Sequence, residues 1–118
     1  MDLRYGKQRH LDYLYRRLQQ TCKVKSRTSV CYVENLNRVM NKMLGKSSKS
    51  KKVKRLGCCF RDYNKFYIYI EKNMGFEIKA QTLVHEWAHL MTPFNVPDHG
   101  RKWAENYCKA YRSVYRTK

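Results

Sequence analysis

Residues 83–91 read Leu-Val-His-Glu-Trp-Ala-His-Leu-Met, and Pro93 follows two positions later. Ala80, Leu83, Val84, Trp87, Ala88 and Met91 recur at helical spacing and cover a broad side of one helix, so the segment predicts a helix buried in the middle of a domain. Pro93 lacks a backbone donor and disfavours helical geometry in the residue before it, which ends that helix near Thr92. His85 and His89 stand four apart, on one face and one turn from each other, at the edge of the apolar stripe. They should therefore face a cleft.

Two imidazoles at this spacing can grip one zinc ion. Glu86, beside the first, is placed to take a proton from a water that zinc acidifies to a pKa of roughly 7. The HExxH pattern thus carries a hydrolytic mechanism, with Glu86 as catalytic base. A catalytic zinc takes three protein ligands and keeps a fourth position for water, so a third ligand is required. His99 is the first choice and Glu105 the rival. Asn95 occupies the slot where HExxHxxGxxH proteins carry their third histidine, and His10 is the only other histidine outside the motif. Asp98 reads as the cap of a last helix whose apolar stripe is Trp103, Tyr107, Ala110, Tyr111 and Val114, which would put His99 on a rigid helix start. Trp103 is expected to wedge that helix against the zinc helix.

The run HEWAH, a proline-broken loop and then DHGRKW leading into an aromatic, cysteine-bearing helix resembles the SprT-like or Spartan zinc metallopeptidases over roughly residues 56–112. The resemblance implies one zinc ion per chain on His85, His89 and His99, with Glu86 as general base. It also implies a protein substrate attached to or bound on DNA. The chain departs from the family in lacking any CxxC pair, so the second, structural zinc of many bacterial members is not expected, and a catalytic core without accessories must supply its own DNA contact.

Charge points the same way. Lys and Arg number 26 against 9 acids, a formal +17 on 118 residues, which draws polyanions at long range. The densest run, at residues 45–55, holds Lys46, Lys49, Lys51, Lys52, Lys54 and Arg55 interleaved with serine and is expected to be a flexible loop that contacts nucleic acid. A second basic set comprises Arg4, Lys7, Arg9, Arg16 and Arg17 near the front, with Lys109, Arg112, Arg116 and Lys118 behind.

Length fits one domain over 1–118. The opening MDLRYGKQRH has no apolar stretch of the signal-peptide kind, and no run approaches the ~20 apolar residues of a membrane span, so a cytoplasmic protein that can associate with DNA and has no membrane partner is the expectation. Five cysteines without framework spacing agree with a reducing compartment.

Asp2 is a candidate cap for a first helix with Leu11, Leu14, Tyr15, Leu18 and Cys22 on one face. Residues 29–34 read as a strand, 35–44 as a helix, and 56–60 and 66–71 as strands joined by a turn at 62–65, with Phe66, Ile68 and Ile70 facing the core. The architecture this predicts is α+β and zincin-like: a small antiparallel or mixed sheet packed on the HExxH helix, with N-terminal and C-terminal helices. One strand is expected to offer an edge along which an extended substrate lies. The second oxyanion donor stays open among a tyrosine, His10 and an arginine. The competing function is a non-catalytic basic nucleic-acid-binding protein in which metal only braces the fold; a third is an inhibitor or assembly protein that kept the fold without turnover. A structural zinc is normally closed by four ligands, often cysteine, and three histidines beside a carboxylate suit catalysis better.

Overall fold

In the computed structural model the described residues are 3–44, 55–62, 64–93 and 95–115, with backbone alone described for 3–9, 43 and 44. The elements run α1 (Leu3–Thr21), β1 (Arg27–Val33), α2 (Leu36–Leu44), β2 (Gly57–Asp62), β3 (Lys65–Glu71), α3 (Phe76–Met91) and α4 (Arg101–Tyr115). The α+β class is as expected. The proposed cap Asp2, turn residue Tyr63 and loop residues Lys46, Lys49, Lys51, Lys52 and Lys54 lie outside the described residues.

Alternation in Lys-Phe-Tyr-Ile-Tyr-Ile-Glu makes β3 a strand with two unlike faces. Phe66, Ile68 and Ile70 are buried, and Tyr67 and Tyr69 are half-buried on the other side, where Phe60 stacks on Tyr67 at 5.3 Å between ring centroids. β3 is the central strand of the order β1-β3-β2. The β2–β3 hairpin is antiparallel, pairing Cys59 with Ile68, as the turn between them requires. β1 pairs parallel to β3, Val30 opposite Ile68, which makes the sheet mixed. β1 and β2 are both edges.

The core lies between one sheet face and α1, α3 and α4. Leu11, Leu14 and Leu18 of α1 meet Ile68 and Ile70 of β3, Leu83, Val84 and Trp87 of α3, and Ala110 of α4, all at most 2% exposed. Trp87 sits at the centre and satisfies its indole N–H by donating to the Cys22 carbonyl at 2.9 Å. Three inward turns of α1 and the Leu83-Val84-Trp87 side of α3 supply most of this apolar surface. At about 25 cal/mol per Å² it is the main force holding α3 against the sheet.

α2 is anchored by a contact that strand and helix patterns do not announce. Glu71, the last residue of β3, is 3% exposed. Its carboxylate accepts the backbone N–H groups of Leu36 (2.7 Å), Asn35 (3.1 Å) and Asn73 (3.2 Å), and so caps the start of α2. Asn35, at φ 53°, turns the chain into the helix, and its own side chain accepts the Arg38 N–H.

Candidate metal centre

α3 starts after Gly75 and ends at Thr92, whose backbone is extended (ψ 131°), as the following proline demands. Thr92 Oγ1 donates to the Ala88 carbonyl at 2.6 Å. Asn106 of α4 then donates to the Met91 carbonyl (3.1 Å) and contacts Thr92 Oγ1 (3.0 Å), tying the loop's start to α4. The loop closes in a turn in which the Gly100 N–H donates to the Pro97 carbonyl at 3.2 Å. A Cβ on Gly100 would lie 3.1 Å from Pro97 Cβ and 3.2 Å from its carbonyl oxygen, so any side chain there would crowd the turn after His99. His99 itself has φ 56°, a left-handed conformation that histidine tolerates better than most residues yet still at some cost.

That turn delivers His99 to α3. His99 Nε2 lies 3.0 Å from His89 Nε2 and 3.2 Å from His85 Nε2, and the three ring atoms form a cluster able to hold a metal ion. The rival ligand Glu105 is elsewhere: it pairs with Arg101 at 3.1 Å and lines a groove between α1 and α4. Three imidazoles converging through their Nε2 atoms are a donor set that fits a cation better than a hydrogen-bond network, since each neutral ring carries one donor and one acceptor.

Asp98 does not cap α4, which begins at Arg101. Its carboxylate faces the histidines instead, with Oδ1 3.3 Å from His89 Nδ1 and Oδ2 3.7 Å from His99 Nδ1. A carboxylate on the Nδ1 side of His89 favours the tautomer that carries its proton on Nδ1, which leaves the Nε2 lone pair for the cluster centre. Trp103 packs under all three rings, with centroids 5.0 Å from His85, 5.6 Å from His89 and 4.8 Å from His99. The expected wedge is therefore also the floor of the site. Its buried indole N–H has no hydrogen-bond partner among the described residues. Burial holds His85 and His89 below the ordinary histidine pKa, with Asp98 opposing it, so both rings stay neutral near pH 7.

Glu86 is 6% exposed and shares a cleft of about 530 Å³ with the three histidines. Burial pushes its carboxyl up to about 7, the Cys59 thiol opposes this through a hydrogen bond, and the Asp98 charge adds to it. Cys59 is in turn pushed well above the ordinary thiol range by burial and then by Glu86. Gly57 explains how β2 comes this close. A Cβ there would collide with Thr82 Cγ2 and stand 3.3 Å from Glu86 Cγ and Oε2. Cys58, pointing the other way, meets Met40 of α2, Sγ to Sδ 3.2 Å.

No family model, curated protein or solved structure matches this chain.

Sequence reasoning thus picked out His85, Glu86, His89 and His99, which the structure gathers, assigned Asp98 to a cap instead of to the histidines, and missed Gly57 and Cys59, whose approach to Glu86 joins chain segments far apart in sequence. Of the proposed oxyanion donors, His10 packs against Phe76 with ring centroids 5.2 Å apart and does not line the cleft, and no arginine among the described residues lines it. Tyr107 is the tyrosine beside the site, 6.4 Å from His85 between ring centroids. Of the basic run, Arg55 is half-buried against α2, where its N–H donates to Asn37 Oδ1 (3.0 Å) and its guanidinium to Asn41 Oδ1 (3.4 Å). Among the described residues no helix is long and apolar enough to cross a membrane.

Proposed function

We propose that this chain is a zinc-dependent metalloendopeptidase of zincin-like architecture, akin to the SprT-like peptidases, that acts on proteins held on DNA. The observation that carries the reading is the convergence of His85, His89 and His99 Nε2 atoms beside the buried Glu86. Two zinc–nitrogen bonds of 2.0–2.1 Å at a tetrahedral angle put their nitrogens about 3.3 Å apart, close to the 3.0 and 3.2 Å found between these rings. Three nitrogens leave one tetrahedral position open, as a catalytic site requires.

When bound, zinc would supply Lewis acidity, polarising the scissile carbonyl and lowering the pKa of a water. Glu86, buried in the cleft beside the three imidazoles, would be placed to accept a proton from the attacking water and to return it to the leaving amine. β2 is the sheet edge that lines the cleft, through Gly57, Cys58 and Cys59, and an extended peptide added to it would be held by main-chain hydrogen bonds without its sequence being read.

Support for a nucleic-acid partner is electrostatic. The chain carries +17, and Arg17, Lys109 and Arg112 gather along the groove of about 390 Å³ between α1 and α4, away from the metal cleft. The same charge favours the second reading, a non-catalytic basic nucleic-acid-binding protein.

One experiment separates them. Zinc per chain is measured by elemental analysis, and cleavage of a basic DNA-binding protein is followed with and without duplex DNA. The peptidase reading expects about one zinc per chain and DNA-dependent cleavage that Glu86→Gln abolishes while zinc is retained. Zinc and DNA binding without cleavage would establish the second reading, and cleavage surviving in Glu86→Gln would remove the proposed role of that carboxylate.

A further inference from the structure

The cleft around the histidines does not end at His85. A second cleft of about 340 Å³ opens on the other side and shares Gly57, His85 and Glu86 with the first. Its own walls are Leu56, Ile78, Gln81, Thr82 and Tyr107. Three observations set it apart.

Its lining is almost free of charge. Lys and Arg make up 26 of the 118 residues, yet among the described residues none lines this cleft, where Glu86 is the one acidic group. Among the described lining residues the phosphates of a nucleic acid would find no cation, and neither would an acidic side chain.

Exposed large apolar residues also collect around it. Five such residues are found among the described ones, and two of them, Leu56 (42% exposed) and Ile78 (47%), line this cleft. Tyr111 and Tyr115 extend the same surface along α4. Trp103, Tyr107, Tyr111 and Tyr115 recur every four residues as a ladder, with successive ring centroids 5.1, 6.2 and 4.5 Å apart, which leads outward from the floor of the metal cluster. In a chain this charged, apolar side chains left open beside a polar cleft mark a binding surface.

The size is also suitable. A cavity of about 150 Å³ takes a benzene ring, so a cleft of 340 Å³ open to solvent accommodates a large side chain together with its backbone.

We infer that the cleft walled by Leu56, Ile78 and Tyr107 is a specificity subsite for a bulky apolar or aromatic side chain of the peptide substrate, adjacent to the scissile bond. The inference rests on the peptidase reading: a peptide following the β2 edge with its scissile carbonyl between His85 and Glu86 passes the shared Gly57 and sets a neighbouring side chain between Leu56 and Ile78. Tyr107 closes the end and offers an aromatic face to a ring.

The test uses the zinc-loaded full chain and peptides identical except for one position, carrying Phe, Leu, Ala, Asp or Lys, with products located by mass spectrometry. Cleavage beside Phe or Leu is expected to exceed that beside Ala or Asp by about tenfold in kcat/KM, the usual discrimination of an apolar pocket. Ile78→Asp, on an exposed position that leaves the core untouched, should bring the Phe-to-Ala ratio toward one. Cleavage without preference, or a preference that Ile78→Asp leaves intact, overturns the subsite. The same Phe and Ala peptides are titrated into the zinc-loaded Glu86→Gln protein. If no peptide is cleaved by wild type but Phe binds more tightly than Ala in an Ile78-dependent way, the peptidase reading fails and the subsite stands. If Phe and Ala bind alike, the subsite fails. Displacement of the Phe peptide by a short single-stranded oligonucleotide would reassign the aromatic ladder to base stacking and overturn the inference.

Discussion

Asp98 Oδ1 stands 3.3 Å from His89 Nδ1, although the two residues belong to different segments and Asp98 is 76% exposed at its side chain. The carboxylate sits behind the metal-facing side of the ring. Its charge raises the basicity of His89, and its other oxygen lies 3.7 Å from His99 Nδ1.

Removing this carboxylate should weaken metal binding without removing a ligand. Outer-shell partners of this kind are worth 10–100-fold in metal affinity, and the exposure of Asp98 puts the expected loss for Asp98→Ala near the low end, about tenfold. Competition with a chromophoric chelator measures it. Asp98→Asn, which keeps the shape but not the charge, should fall between Asp98→Ala and wild type; unchanged affinity in both would show that the contact does not orient the ring.

Gly57→Ala tests the close approach of β2 to α3. The added methyl would meet Thr82 Cγ2 and the Glu86 side chain, so either β2 moves out or Glu86 moves. Overpacking of this kind costs about 1–3 kcal/mol, read as a lowered midpoint in urea. Wild-type stability would mean that the strand relaxes freely.

Glu71→Ala should unfasten α2. Three backbone N–H groups lose a buried carboxylate acceptor, and hydrogen bonds to a charged group are worth more than neutral ones, so a loss of about 2–4 kcal/mol is expected. Hydrogen exchange should show it first at Leu36 and Asn73. Protection there equal to wild type would contradict the capping role.

In the metal-free protein, Glu86 should make stability decline as pH rises. Its carboxyl is pushed from 4.5 to about 7, chiefly by burial, with the Cys59 hydrogen bond opposing and Asp98 adding. Between those values the folded chain holds a proton that the unfolded chain has released, so folding weakens with rising pH until both forms are ionised above about 7. The full effect is on the order of 3 kcal/mol. His85 and His89, with depressed values, act in the opposite sense, so the Glu86 contribution is read as the difference between wild type and Glu86→Gln. Urea midpoints after chelation at about pH 5 and about pH 8 should diverge between the two proteins, with wild type losing more at the higher pH; parallel profiles would refute it.

The helix of residues 83–91, its stop at Pro93, the pairing of His85 with His89 and the core face of Phe66, Ile68 and Ile70 were all readable, because each is a periodicity or a breaker acting within a few residues. His99 was nominated by scarcity, since few other ligand types follow the motif. Its delivery to the cluster came from the tight turn that Gly100 permits and from the Asn106 tie between α4 and the end of α3. Asp98 looked like a cap because a carboxylate before a helix usually is one; the start of α4 at Arg101 freed it to face His89 and His99. The parallel pairing of β1 with β3, the close pass of Gly57 over Thr82, the approach of Cys59 to Glu86 and the Glu71 cap on the start of α2 all join residues at least 25 positions apart. The sequence by itself determined which groups can do chemistry and which faces must be buried, since local spacing dictates both. Only the tertiary structure decided which of those groups share a cleft and what lines its other end, because that depends on how helices and sheet edges pack across long stretches of chain.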